Sequence, residues 1–448
     1  MESEEISLEL PWNDYAQAAT EGLSFQKMGR VTQVVGLLIE GDGPASSIGD
    51  MCDIITGEGE RMVKAEVVGF RNDAVLLMPL GALKGVRPGS LILSRGEAET
   101  VAVGDRLLGR VIGPLGEPMD DGPPLELKGS VPLYSDPINP MLRKRIDTPL
   151  DLGVRAVNGL LTIGRGQRVG IFSGSGVGKS TLMGMMARYT KAQVNVIALV
   201  GERGREVVEF LEKELGPEGL ARSVVVVATA DQPPLLRLRA AFYAMAVAEY
   251  FRDREKDVLL LMDSVTRFAM AQREVGLARG EPPTAKGYPP STFTMLPRLL
   301  ERAGRDHGNG SITGLFTVLM EGDDIQDPIV DAVRGILDGH ILLSRDLADS
   351  NHYPAIDILG SISRLMDDMA QPQHKEMAGQ LREALATYAR AEDMINIGAY
   401  VAGSNPRIDR SIALIEQIRG FLRQAVSEQS TLEATVQQLQ SALAAPGN

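Results

Sequence analysis

Residues 169–181 read Val-Gly-Ile-Phe-Ser-Gly-Ser-Gly-Val-Gly-Lys-Ser-Thr, and residue types in that order can hold a polyphosphate. Gly174, Gly176 and Gly178 allow unusual backbone angles, so that successive N–H groups can face phosphate oxygens. Lys179 is placed to reach the β- and γ-phosphates, and the Ser180 hydroxyl to ligate Mg²⁺. Ser175, Val177 and Thr181 complete the candidate binding set. The G-x-x-x-x-G-K-[ST] pattern asks for glycine at 173, where this chain has Ser173; a small residue there keeps the loop. A plain Gly-rich turn with a surface lysine would leave the flanking strand and helix as coincidence.

Two carboxylates stand at comparable points. Asp257-Val-Leu-Leu-Leu-Met-Asp263 is an apolar run ending in an acid, 84 residues after Lys179. At the carboxyl edge of a parallel sheet, Asp263 would hold Mg²⁺ directly or through water. The run Val194–Val200 leads into Gly201-Glu202-Arg203-Gly204-Arg205-Glu206. Glu202 there can orient and activate a water against a γ-phosphate. An ordinary acidic helix start is equally compatible with that spacing.

The elements that must carry these groups alternate. Over 150–371, buried-strand candidates are Arg168–Phe172, Val194–Val200, Ser223–Ala228, Asp257–Met262, Ser311–Leu319 and Gly339–Leu343. Helical patterns fall at 179–191, 203–215, 235–252 and 264–278, which predicts an α/β domain with a parallel sheet covered on both faces. Before it, 25–95 shows short β-branched runs, among them Gly29–Ile39, punctuated by turn residues, the pattern of a small β-barrel or sandwich. Residues 96–149 are loop-rich and read as a connector into the core. From 372 to 448 the β signal stops, and helices are predicted at Gln373–Arg390, Glu392–Tyr400, Ile408–Ala425 and Thr431–Ala444. Residues 1–24 carry six acidic residues, no basic one, and the only tryptophan, Trp12. Both a frayed terminus and a short partner-binding segment fit them.

Bulk properties narrow the function class. A chain of 448 residues suggests roughly three domains. The single cysteine, Cys52, excludes an internal disulfide, and four scattered histidines suggest no metal cluster; both fit a reducing cytosol. An acidic start argues against a signal peptide, and no apolar run approaches the ~20 residues of a membrane span. A net charge of −13 argues against a nucleic-acid surface spread over the protein, though not against a basic channel.

With the motifs assembled, the chain resembles the rotary ATPase family. Gly-Glu-Arg-Gly-Arg-Glu-Val after the second strand, the loop Ser-Gly-Ser-Gly-Val-Gly-Lys-Ser, and Gly-Tyr-Pro-Pro-Ser at 287–291 carry the likeness. So do His352-Tyr353-Pro354-Ala355-Ile356-Asp357 and Ser361-Ile362-Ser363-Arg364. Within the family it is most similar to the cytoplasmic ATPases of type III protein export, flagellar branch, over residues 25–425.

That resemblance implies a RecA-like ATPase core between a β-barrel and an all-α C-terminal domain, with ATP and Mg²⁺ as ligands. It implies Glu202 as catalytic base, Arg203 as a γ-phosphate or interface contact, and Tyr353 packing on adenine. Arg364 would be an arginine finger reaching the neighbouring subunit's site; without the resemblance it would pass for a surface salt-bridge residue. One chain carries loop, glutamate and finger together, so a homomeric ring is the simplest assembly, and the resemblance implies six subunits. Expected partners are stalk or regulatory proteins, through residues 1–24, and export chaperones with their substrates, at the cytoplasmic side of a membrane export gate. No nucleic-acid partner is expected. Alternatives are the ATPase of a virulence injectisome, an ATP synthase catalytic subunit, an RNA-translocating ring, and a non-catalytic nucleotide-binding scaffold.

Overall fold

The structure, a computed structural model, describes residues 28–56, 61–96, 99–324 and 326–444. The segment 1–24, with its partner-binding reading, lies outside them. The chain divides into two compact units, Met1–Glu99 and Thr100–Asn448.

In the first unit, β1 (Met28–Val35), β2 (Leu38–Gly41), β3 (Met51–Thr56), β4 (Arg61–Arg71), β5 (Ala74–Pro79) and β6 (Leu91–Ser94) close into a barrel in the order β1-β2-β5-β4-β3-β6. Alternate residues point inward, as strand geometry requires. Cys52 and Ile54 from β3, and Val75 and Leu77 from β5, fill the interior with Val31, Ile39 and Ile92. The run Gly29–Ile39, which reads as one strand, is a hairpin: Gly36, at φ 59°, makes the turn between Val34-Val35 and Leu37-Leu38-Ile39.

The second unit is built on one sheet. Its strands are β8 (Arg110–Ile112), β10 (Arg168–Ser173), β11 (Val194–Glu202), β12 (Ser223–Thr229), β13 (Asp257–Asp263), β14 (Gly304–Arg305), β15 (Ser311–Leu319), β16 (Gly339–Leu343) and β17 (Ile356–Ser363). The order is β17-β16-β10-β15-β13-β11-β12-β8, with β14 on β15. All neighbours are parallel except β17 on β16 and β14 on β15. The central strands are buried along almost their whole length. That is why their sequence reads as continuous apolar runs without alternation.

Several further elements differ from the sequence reading. The connector supplies β8 as an edge strand on β12, and β7 (Thr100–Val103) pairs with β9 (Gly129–Pro132); three- and four-residue strands are too short to show a period. The half-exposed edge strand β17 carries Asp357, Gly360, Ser361 and Ser363, so no apolar run marks it. The helix expected over 203–215 is a short α-helix, Gly204–Glu209, then a π-helical turn, Phe210–Leu215, then Gly216–Ala221.

The C-terminal helical domain packs onto the sheet. Pro372–Asn396, which replaces the two helices expected there, forms a hairpin with Pro406–Leu422; Leu432–Ala442 follows. Leu381, Leu414, Ile418, Phe421 and Leu439 share one apolar core with Leu160 and Ile171 of the nucleotide-binding part. Arg155 locks the junction: it donates to the carbonyls of Phe421 and Arg423 and pairs with Glu428. Among the described residues no helix is long and apolar enough to cross a membrane.

Candidate active site

The glycine-rich loop leaves β10 at its carboxyl end and enters the helix Lys179–Tyr189 through Gly178, which is left-handed at φ 87°. Gly176 is also left-handed, at φ 76°. These angles are open to glycine at little cost, and they allow consecutive N–H groups to face one side. Among the described residues no protein acceptor takes the backbone N–H of residues 175–181. The helix amino terminus adds its positive dipole end to the same spot.

Four adjacent strands deliver side chains to this edge. Lys179 Nζ lies 2.5 Å from Asp263 Oδ1 at the end of β13 and 3.8 Å from Glu202 Oε1 at the end of β11. Between β10 and β13 comes β15, whose Thr317 hydroxyl donates to the same Asp263 Oδ1 at 2.7 Å. Asp263 is nearly fully buried. Both of these bonds fall on Oδ1.

The charges are mutually tuned. Burial disfavours the Lys179 ammonium, but the Asp263 and Glu202 carboxylates outweigh burial and hold its pKa above the ordinary lysine value. Glu202 is pushed up to about 7, first by burial and then by the Asp263 carboxylate, with Lys179 opposing and Glu206 adding to the rise. A carboxyl group poised near neutrality beside the lysine of the candidate phosphate loop has the basicity a general base needs. Arg267 sits close by, its positive charge working against that of Lys179. Gly201, at φ 74°, makes room for it, since a Cβ there would lie 2.7 Å from Arg267 Cβ.

Other expected residues fall into three groups. Tyr353 lies against the loop, because a Cβ on Gly178 would meet its ring at 3.4 Å. Ser180 is exposed at the first helical turn. Ser173 ends β10, fully buried, its hydroxyl without a hydrogen-bond partner among the described residues. The Thr181 hydroxyl donates to Glu214 Oε1 at 2.9 Å, while its backbone N–H faces no protein acceptor among the described residues. Arg203 stands apart, two-thirds exposed, 3.4 Å from Glu206. Arg364 follows β17 at the opposite edge of the sheet. Its N–H donates to Asp338 O, and Asp338 N–H donates to Arg168 O at the start of β10.

Thr317, Arg267 and Glu214 escape a reading of the sequence, as does Arg345, which donates to the Ser175 carbonyl at 3.2 Å. A threonine inside an apolar strand is the one faint signal, and only the strand order turns it into a neighbour of Asp263.

Known proteins share this architecture. Residues 153–363 match the model of the ATP synthase alpha/beta family, nucleotide-binding domain, and residues 31–96 that of the same family's beta-barrel domain. Residues 370–441 match the T3SS EscN ATPase C-terminal domain. The chain is 54% identical over 421 residues to the flagellum-specific ATP synthase of Bacillus subtilis (strain 168), covering 93% of this chain and 95% of that one. It is 50% identical over 416 residues to the type 3 secretion system ATPase of Xanthomonas euvesicatoria, covering 93% and 94%. Among solved structures, the assembled ATPase EscN in complex with its central stalk EscO, from the type III secretion system of enteropathogenic E. coli, superposes with a TM-score of 0.86. The identity there is 45%, over 93% of this chain and 100% of that chain.

Proposed function

Because the chain belongs to the ATP synthase alpha/beta family, in the branch of flagellum-specific and type 3 secretion ATPases, we propose that it hydrolyses ATP as a homo-hexameric motor of flagellar protein export. The observation that carries this reading is the convergence of Lys179, Glu202 and Asp263 at the mouth of the phosphate loop. The loop N–H groups and Lys179 bind the phosphates, while the Tyr353 ring takes the adenine. Glu202 accepts a proton from the attacking water and orients it in line with the γ-phosphate.

The donor set suits Mg²⁺. Among the described residues no three His, Cys, Asp or Glu side chains form a metal site of their own. Magnesium instead prefers one or two carboxylates together with phosphate oxygens and water. The exposed Ser180 hydroxyl and the Asp263 carboxylate offer hard oxygens beside the loop. A bound Mg²⁺ supplies charge neutralisation at the transferring phosphoryl group.

Arg364, on the far edge of its own sheet, serves the loop of the next subunit, and Arg203 lies at that interface. Head-to-tail contacts of this kind close into rings. The ring stands at the cytoplasmic face of the export apparatus, associated peripherally with the membrane gate, and takes a central stalk protein. It releases export substrates from their chaperones.

The test is phosphate release. Glu202→Gln is expected to keep ATP binding and lose turnover; full turnover in that variant would remove the assignment of the base. The injectisome is the second reading, favoured by the 50% identity to the type 3 secretion relative. A deletion strain that loses motility supports the flagellar reading, and one that swims normally but cannot deliver effectors supports the other.

A further inference from the structure

The helix that carries Lys179 is gripped on one face by the π-helical turn Phe210–Leu215. Thr181 donates its hydroxyl to Glu214 Oε1 at 2.9 Å. Gly184 admits the turn closely, since a Cβ there would fall 2.7 Å from both the Cβ and the carbonyl oxygen of Glu214. Arg188 donates to the Lys213 carbonyl at 3.4 Å and also to that of Glu214. Positions three and four apart share one helix face, so these contacts form a single stripe. The π-turn itself follows Glu202 after only one short helix, Gly204–Glu209. Single π-turns inside helices recur at functional sites.

Packing alone asks for no carboxylate here. Apolar contacts would hold two helices together but leave their rotation and sliding soft. A directional bond to Thr181, next to Ser180 and two residues past Lys179, fixes both.

We propose that Glu214 is a positioning residue for the hydrolysis reaction: by holding the Thr181 hydroxyl it sets the first turn of the phosphate-loop helix, with Lys179 and Ser180, in register with the segment that carries Glu202. This rests on the ATPase reading above. Misplacing reacting groups by about 1 Å can cost up to about 10²-fold in rate, so the grip acts on kcat more than on substrate binding.

Steady-state kinetics of the full chain with Mg-ATP test it. Thr181→Val and Glu214→Ala are each expected to lower kcat about 10- to 100-fold while KM changes less than about twofold. Thr181→Ser and Glu214→Gln keep a donor and an acceptor and stay within about threefold of the parent chain. The double variant Thr181→Val/Glu214→Ala falls no further than either single one, because both remove the same bond. Wild-type kcat in Thr181→Val, losses that multiply in the double variant, or Ser and Gln variants as poor as Val and Ala would each overturn the inference. A parent chain that releases no phosphate fails at the ATPase reading and takes this inference with it. A parent chain that turns over, alongside an unimpaired Thr181→Val, sinks the positioning role alone.

Discussion

Arg364 cannot serve the phosphate loop of its own chain, and the sheet supplies the distance. Its N–H bonds to Asp338 O, and Asp338 N–H to Arg168 O, so Arg364 is level with the first residue of β10. The loop begins after Ser173, at the other end of that strand. Five strand steps at about 3.3 Å each separate the two levels by roughly 17 Å, well beyond the span of an arginine side chain. Arg364→Ala should therefore lower turnover by about 10³-fold or more only if the guanidinium acts on a neighbouring subunit. The decisive form is a mixing experiment between Arg364→Ala and Glu202→Gln chains, each inactive alone. A productive interface needs a chain with Glu202 on the loop side and a chain with Arg364 on the finger side. In rings assembled at random from equal amounts, about one quarter of the interfaces meet both conditions. Phosphate release after dissociation and reassembly should rise to about that fraction of the parent rate at an equal ratio and fall away on either side. If every mixture stays at the weighted mean of its inactive parents, Arg364 does not act in trans.

Further outcomes follow from local chemistry. With the Glu202 carboxyl pushed up to about 7 by burial and by Asp263, the basic form is lost as pH falls through that value. ATPase rate should accordingly drop on the acid side of neutrality, and a rate flat from pH 8 to pH 5.5 would exclude Glu202 as the base. Arg155→Ala strips the bonds to Phe421, Arg423 and Glu428 and should cost about 2–3 kcal/mol, read as a lower denaturation midpoint. Cys52 is fully buried in the barrel, where burial pushes its thiol up to about 11. Maleimide should leave it unmodified in the native chain and label it in denaturant; rapid native labelling would contradict the closed barrel.

Much of the architecture is legible because its causes are local. Continuous apolar runs mark β10, β11, β12, β13 and β15, since strands covered on both faces have no polar side to show. The half-exposed β17 and the three-residue β8 leave no such trace. The hairpin within 29–39 is hidden because one glycine makes its turn. The π-turn at 210–215 is invisible because a helix that gains one residue keeps a helical composition.

The site divides along the same line. Sequence by itself marked the candidate phosphate loop, because consecutive N–H groups, glycine angles and a helix start all lie within 169–181. It also singled out Asp263 and Glu202 as carboxylates at strand ends. Only the tertiary structure decided that β15 lies between β10 and β13, which brings Thr317 onto Asp263. It also turned the Thr181 hydroxyl toward Glu214 and set Arg364 on the far edge of the sheet. Those relations depend on strand order and register between segments dozens of residues apart, which side-chain periodicity along one segment does not encode.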